Sequence, residues 1–255
     1  MVSRCEKGKG VRLPGVPASS ARPLRARSAH EKDRRREEIL RAAERLWTTT
    51  AYVDLSMSQV AREAKLAKGT LYLYFDTKEE LFLALLSEHL RAWFATCSDL
   101  LDEARPRTAA QLSEVLIASV RGQTPLLRLL LLLGTVLQRP PRPGRDGPSD
   151  DREQRLRREI RRNLGDLIAK LPVAPEVGLR VFSQLYAVGL GWQQIAEARA
   201  SWKALEPGPE SIFLPPEFGD GFEPALRAVL QDLLGQEERR SSVPLTEGRP
   251  AATDA

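Results

Sequence analysis

Few groups in this 255-residue sequence could do chemistry, and most are set aside by type and spacing. The two histidines, His30 and His89, and the two cysteines, Cys5 and Cys97, have no CxxC pair or His-rich company, so neither a metal site nor a Ser/His/Asp triad is supported. No catalytic residue, metal or cofactor is expected. Asp99, Asp102 and Glu103 read as the solvated face of a charged helix rather than paired carboxylates. A denser group lies near residue 70, where Lys68, Thr70, Tyr72 and Tyr74 alternate and Lys78 follows. Ammonium, hydroxyl and phenol groups hydrogen-bond phosphates and base edges. Gly69 lets backbone approach closely, and the free N–H groups of a helix start favour phosphate. Lys78 opens a further helix, where its charge and unpaired N–H groups can hold a phosphate.

These residues need elements to hold them. A first helix starts near Glu31, with Ser28 and Glu31 spaced as a capping box, and carries the stripe Ile39, Leu40, Ala43, Leu46 and Trp47. A break at 51–55 ends it. Ser56 and Gln59 form a second capping box before a short helix with Val60, Ala61 and Ala64. Lys65, Leu66 and Ala67 make a tight turn into a helix over 68–74, with Leu71 and Phe75 facing the core. Alternate residues cannot both face one core, so at least one of Tyr72 and Tyr74 is expected to be exposed. Two short helices joined by a tight turn and propped by a longer one are a helix-turn-helix pattern. Thr77 and Glu80 cap a long amphipathic helix that Pro106 stops.

The stretch ILRAAERLWTTTAYVDLSMSQVAREAKLAKGTLYLYFDTKEELF resembles the DNA-binding head of the TetR family of transcriptional regulators. The match covers roughly 36–83, and its specific parts are AKGTLYLYF and TKEEL. The resemblance implies that Ser56 and Ser58 approach DNA, that Lys68, Gly69, Thr70, Tyr72, Leu73 and Tyr74 form the reading face, and that Lys78 anchors phosphate. Three positions depart from the pattern: Lys65 where the family usually has Gly in the turn, Ala67 where a capping Ser or Thr is common, and Ala51 before the aromatic. Lys65 costs about 1 kcal/mol if its φ is positive, and is either solvated or a phosphate contact.

Beyond residue 83 helical stretches near 108–121, 125–138, 150–171, 175–200 and 222–235 alternate with loops at 139–150 and 206–221. The layout is similar to the family's effector-binding and dimerisation domain. Segment 175–200 is apolar on more than one face, with Leu179, Phe182, Tyr186 and Leu190 on one run and Val181, Leu185, Val188, Trp192 and Ile195 on another. A helix apolar all round is buried on both sides, which points to a partner copy packed through 175–200 and 222–235. Gly189 and Gly191 permit close approach. Candidate linings of an effector pocket are Trp93, Phe94, Leu130, Thr135, Gln138, Phe182, Tyr186, Trp192 and Gln193. Few charges fall inside the apolar stripes, so the effector is expected to be small and mostly apolar.

The expected organisation is all-α: a basic disordered tail at 1–28, a helix-turn-helix head at 29–76, an effector-binding and dimerisation domain at 77–235, and a disordered tail at 236–255. The net charge of +5 is concentrated at the start, where residues 1–36 hold 11 Lys/Arg against 3 Asp/Glu. That tail either tracks phosphates or is merely solvated. Arg155, Arg157, Arg158, Arg161 and Arg162 are either a second nucleic-acid surface or, interleaved with Glu153 and Glu159, an outward helix face; the interleaving favours the latter. The longest uncharged apolar run, 129–137, is too short to span a bilayer. With no secretory signal and two scattered cysteines, a cytoplasmic location is expected. The reading is a homodimeric repressor of a roughly palindromic duplex DNA operator, modulated by an unidentified small molecule. The rival is a helical ligand- or protein-binding module whose head is degenerate at Lys65 and Ala67.

Overall fold

Good helix formers dominate the sequence before Ile39, and the first helix, α1 (Leu24–Thr49), uses them all. In the computed structural model, which describes residues 24–134, 148–202 and 218–242, α1 therefore begins before Glu31. Ser28 lies inside the helix, so the expected cap at Ser28 and Glu31 does not form, and the basic segment expected to be disordered is helical from Leu24.

The 310 turn Tyr52–Asp54 links α1 to α2 (Met57–Glu63). Ser56 caps α2 as its sequence implies: its side chain accepts from the Gln59 N–H, and the Gln59 carboxamide accepts from the Ser56 N–H at 2.7 Å. Lys65 adopts φ +56° in the turn to α3 (Lys68–Tyr72), so the strain anticipated there is present. The turn closes regardless, with the Leu66 N–H on Ala61 O at 2.8 Å.

Thr77 caps α4 (Lys78–Ala104), accepting from the Glu80 N–H, while the Glu80 carboxylate accepts from the Asp76 N–H at 2.8 Å. Residues 80–86 of α4 are all buried, seven in succession. A helix buried all round there packs on two bodies, α1 and the 310 turn on one side and the remaining helices on the other. Pro106 follows its end, where Arg105 turns left-handed.

Then come α5 (Ala109–Val120), α6 (Thr124–Leu132), α7 (Pro148–Ile168), α8 (Pro175–Trp202) and α9 (Phe218–Ser242). Glu159 of α7 meets Ser87 and Arg91, and Lys170 just beyond it meets Ser98 and Asp102, so α7 runs parallel to α4. α9 is longer than expected at both ends: 218–221 and 236–242 were expected as loop and tail, yet the helix runs through them. Among the described residues there is no strand, and no single helix is long and apolar enough to cross a membrane. Cys97 is fully buried, and burial pushes its thiol up to about 11, which fits a packing role.

Lys65→Gly removes a side chain from the left-handed region. It should raise stability by about 1 kcal/mol, read as a higher thermal midpoint; an unchanged or lower midpoint contradicts strain at this turn.

Candidate functional site

The head presents one wet face. Leu71 and Phe75 are fully buried, as their spacing requires, and this turns the other side of α3 outward. Tyr72 is 39% and Leu73 78% exposed, and Lys68 and Gly69 are exposed beside them. The Lys68 ammonium lies 5.9 Å from the Tyr72 ring centre, so cation and phenol share one patch. Of the two tyrosines Tyr72 faces out, whereas Tyr74 is half-buried against the core. Thr70 and Ser58 are half-buried at the edge of this face. Ser56 is exposed, though its hydroxyl already bonds within its own capping box.

Lys78 differs from the expectation. Its ammonium donates to Tyr52 O at 2.7 Å and Leu55 O at 2.8 Å, and sits 4.0 Å from the Tyr52 ring centre. Two carbonyls and a π face hold this cation away from a free phosphate-seeking position. It fixes the loop that leads into Ser56 and α2, and only its backbone N–H at the helix start remains suited to a phosphate. The sequence showed a basic residue at a helix start but not the carbonyls folded over it.

The rest of the chain forms a partly open apolar cavity of about 350 Å³ between α4, α6, α7 and α8. Trp93, Phe94, Leu130, Phe182 and Tyr186 line it, as expected. Trp192 and Gln193 do not. The Trp192 ring packs over Gly221 of α9, where a Cβ would lie 2.2 Å from the ring, and Gln193 is buried with its amide directed at Glu197. Thr135 and Gln138 lie outside the described residues. Sequence reasoning missed Leu90, Leu127, Ile160 and Leu164, because Leu in a helical stripe looks the same whether it fills a core or borders a void. Among the described residues no charged side chain lines the cavity, and Gln123, Ser183 and Tyr186 are polar groups in its wall.

The cavity also changes the reading of α8. Leu179, Phe182, Leu185, Tyr186 and Leu190 all border the cavity, and Val181, Phe182 and Leu185 are also buried in the core with Val188, Leu190 and Trp192 packed against it. The two apolar runs of α8 therefore do not separate into a core face and a cavity face. Leu179 and Tyr186, both about half exposed, lie at the rim.

Comparison with known proteins bears on the head first. The model of the bacterial regulatory proteins of the TetR family matches residues 39–85, which spans the capped α2, the turn, α3 and the start of α4. The head of this chain is thus similar to the DNA-binding head of the TetR family. An uncharacterised helix-turn-helix transcriptional regulator of Haemophilus influenzae is 37% identical over 70 residues, 28% of this chain and 37% of its own length. The transcriptional repressor NicS of Pseudomonas putida is 35% identical over 83 residues, 32% of this chain and 39% of its own. This chain thus spans less than half the length of these relatives. The solved structure of the multidrug binding protein EbrR, complexed with imidazole, extends the fold further: TM-score 0.52 at 21% identity, over 83% of this chain and 97% of that one. The family is one of DNA-binding transcriptional regulators rather than enzymes.

The two lysines should separate in a salt titration on duplex DNA. Lys68→Ala should flatten the slope of log affinity against log salt by about one unit. Lys78→Ala should lower the thermal midpoint and weaken binding, yet change the slope by clearly less than one unit. Equal slope changes contradict the placement of Lys78 on the two carbonyls.

Proposed function

We propose that this chain is a homodimeric one-component repressor that binds a roughly palindromic operator through α2 and α3 and is released by a small, mostly apolar, uncharged effector in the cavity between α4, α6, α7 and α8. The observation that carries the reading is the paired architecture: a head whose exposed face bears Lys68, Tyr72 and Leu73, and an apolar cavity walled in part by α4, the helix that continues from the head. The reading face consists of Lys68, Gly69, Thr70, Tyr72 and Leu73, with Ser56, Ser58 and Tyr74 at its border and the Lys78 backbone toward phosphate. The repressor name of NicS and the ligand-bound state of EbrR support the two halves of this reading.

The cavity suits a compact hydrophobic ligand with one or two hydrogen-bonding groups, which Gln123, Ser183 and Tyr186 can meet. A larger hollow of about 560 Å³ at the far end of α4 is lined by Arg107, Leu112 and Val177 among others, with no aromatic wall among the described residues. It fits the role less well.

Dimerisation through α8 and α9 rests on a different strip from the apolar one. Gln184, Ala187 and Gly191 form an exposed row on α8, and Pro224, Ala228 and Gln231 form another on α9. Among the described residues a Cβ at Gly191 would meet nothing within 4 Å, whereas one at Gly189 would lie 3.3 Å from Leu127. The surface at Gly191 therefore has room to admit a partner helix.

Selection of bound sequences from a random duplex pool should return a two-fold site with half-sites about one helical turn apart, or a multiple of it. Random recovery contradicts the repressor reading and favours a module whose head does not bind DNA. Gly191→Arg should sediment as a monomer, keep its helical circular dichroism, and lose at least about tenfold in affinity for the selected duplex. A dimer with undiminished affinity contradicts this interface.

A further inference from the structure

A single charge interrupts the Leu-rich helix α6, and its side chain leaves the cavity wall for the head. Leu126, Leu127 and Leu130 line the cavity, while Arg128 between them turns the other way. Its guanidinium carbon lies 4.4 Å from the Trp47 ring centre, Nη1 donates to Trp47 O at 3.1 Å, and Nε donates to Glu197 Oε1 at 3.1 Å. One planar fork thus grips the last turn of α1, the middle of α6 and the last third of α8. Gln193, 3% exposed, directs its amide at the same Glu197 oxygen.

The grip continues into the reading face. The Trp47 ring meets Phe82 edge-on at 5.3 Å, Phe82 meets Tyr52 edge-on at 5.0 Å, and Lys78 ties Tyr52 O and Leu55 O together immediately before the Ser56 cap of α2. Each link is a side chain in van der Waals or hydrogen-bond contact with the next.

We propose that Arg128 is the positioning residue that couples the cavity to the head: it clasps α1 to α6 and α8 while the cavity is empty, and a ligand that wedges against Leu127 and Leu130 displaces α6 and opens the clasp. The proposal rests on the reading that the cavity takes an effector. Only a contact that differs between the two states can transmit binding energy, and the fork geometry of Arg128 makes it sensitive to small shifts of α6. The clasp holds the head in its operator-competent orientation, so its loss lowers operator affinity and removes the ligand's leverage together.

The full chain and the selected duplex provide the test, with the neutral fluorophore N-phenyl-1-naphthylamine as cavity probe. In the parent, saturating probe should weaken duplex binding by at least about tenfold. In Arg128→Ala the duplex should bind about five- to tenfold more weakly without probe, and the probe should change that affinity by less than about twofold, although it binds the free protein as tightly as before. Arg128→Lys, which keeps the charge but not the fork, should behave like Arg128→Ala. A role in folding alone would lower the thermal midpoint and leave the probe's effect at its parental size, and that result overturns the proposal.

If the probe does not enter the cavity, Leu130→Trp supplies an occupied state from α6 itself. It should weaken duplex binding in the parent and not in the Arg128→Ala background. That outcome keeps the clasp while rejecting the probe as a cavity ligand; equal weakening in both backgrounds overturns the clasp. Should no duplex be selected at all, hydrogen exchange still reads the clasp, since Arg128→Ala should speed exchange at residues 45–50 at least about tenfold. Unchanged exchange there overturns it.

Discussion

The structure depends on the burial of α4 over residues 80–86. Six of these seven are apolar, and the seventh, Glu80, is buried while its carboxylate caps the backbone at Asp76. A helix so placed cannot belong to the head alone. Phe82 fills the head core between Trp47 and Tyr52, while Leu86, Leu90 and Phe94 carry the same helix along the core of the remaining helices. The two bodies share this one helix.

A second constraint follows from how helices fill space. Between α4, α6, α7 and α8 a partly open cavity of about 350 Å³ leaves apolar side chains uncovered, with Trp93, Phe94 and Phe182 in mutual ring contact along its wall. The surrounding helices are tied together elsewhere: α7 to α4 by Glu159 with Arg91, α5 to α9 by Arg121 with Glu223, and α1 to α4 by Arg36 with Glu88. These ion pairs are exposed or half-exposed and individually weak. The Arg128 clasp differs from them in joining three elements through a ring face, a carbonyl and a carboxylate.

The head was legible in the sequence because its signals are local. Capping residues at Ser56 and Thr77, the Leu71 and Phe75 pair, and the outward Tyr72 all follow from spacing within a few residues. Long-range placement was not legible. Lys78 reads as a phosphate anchor until Tyr52 O and Leu55 O, more than twenty residues away, fold over it. The two apolar runs of α8 read as faces buried on both sides, because periodicity records that a face is covered without recording whether protein or a cavity covers it. Arg128 carried the faintest signal, one charge in an apolar run, and its partners Trp47 and Glu197 are roughly seventy or more residues distant. Helix ends were misjudged where propensity outran caps, at Leu24 and across both ends of α9.

The central claim, that this chain meets duplex DNA through the outward face of α2 and α3, is tested most directly by hydrogen exchange of the full chain with and without a duplex it has selected. Slowed exchange at residues 56–74 and at the start of α4, with α7 unchanged, is the result the account predicts. Protection centred on the arginine face of α7, with residues 56–74 exchanging as in the free protein, would contradict it.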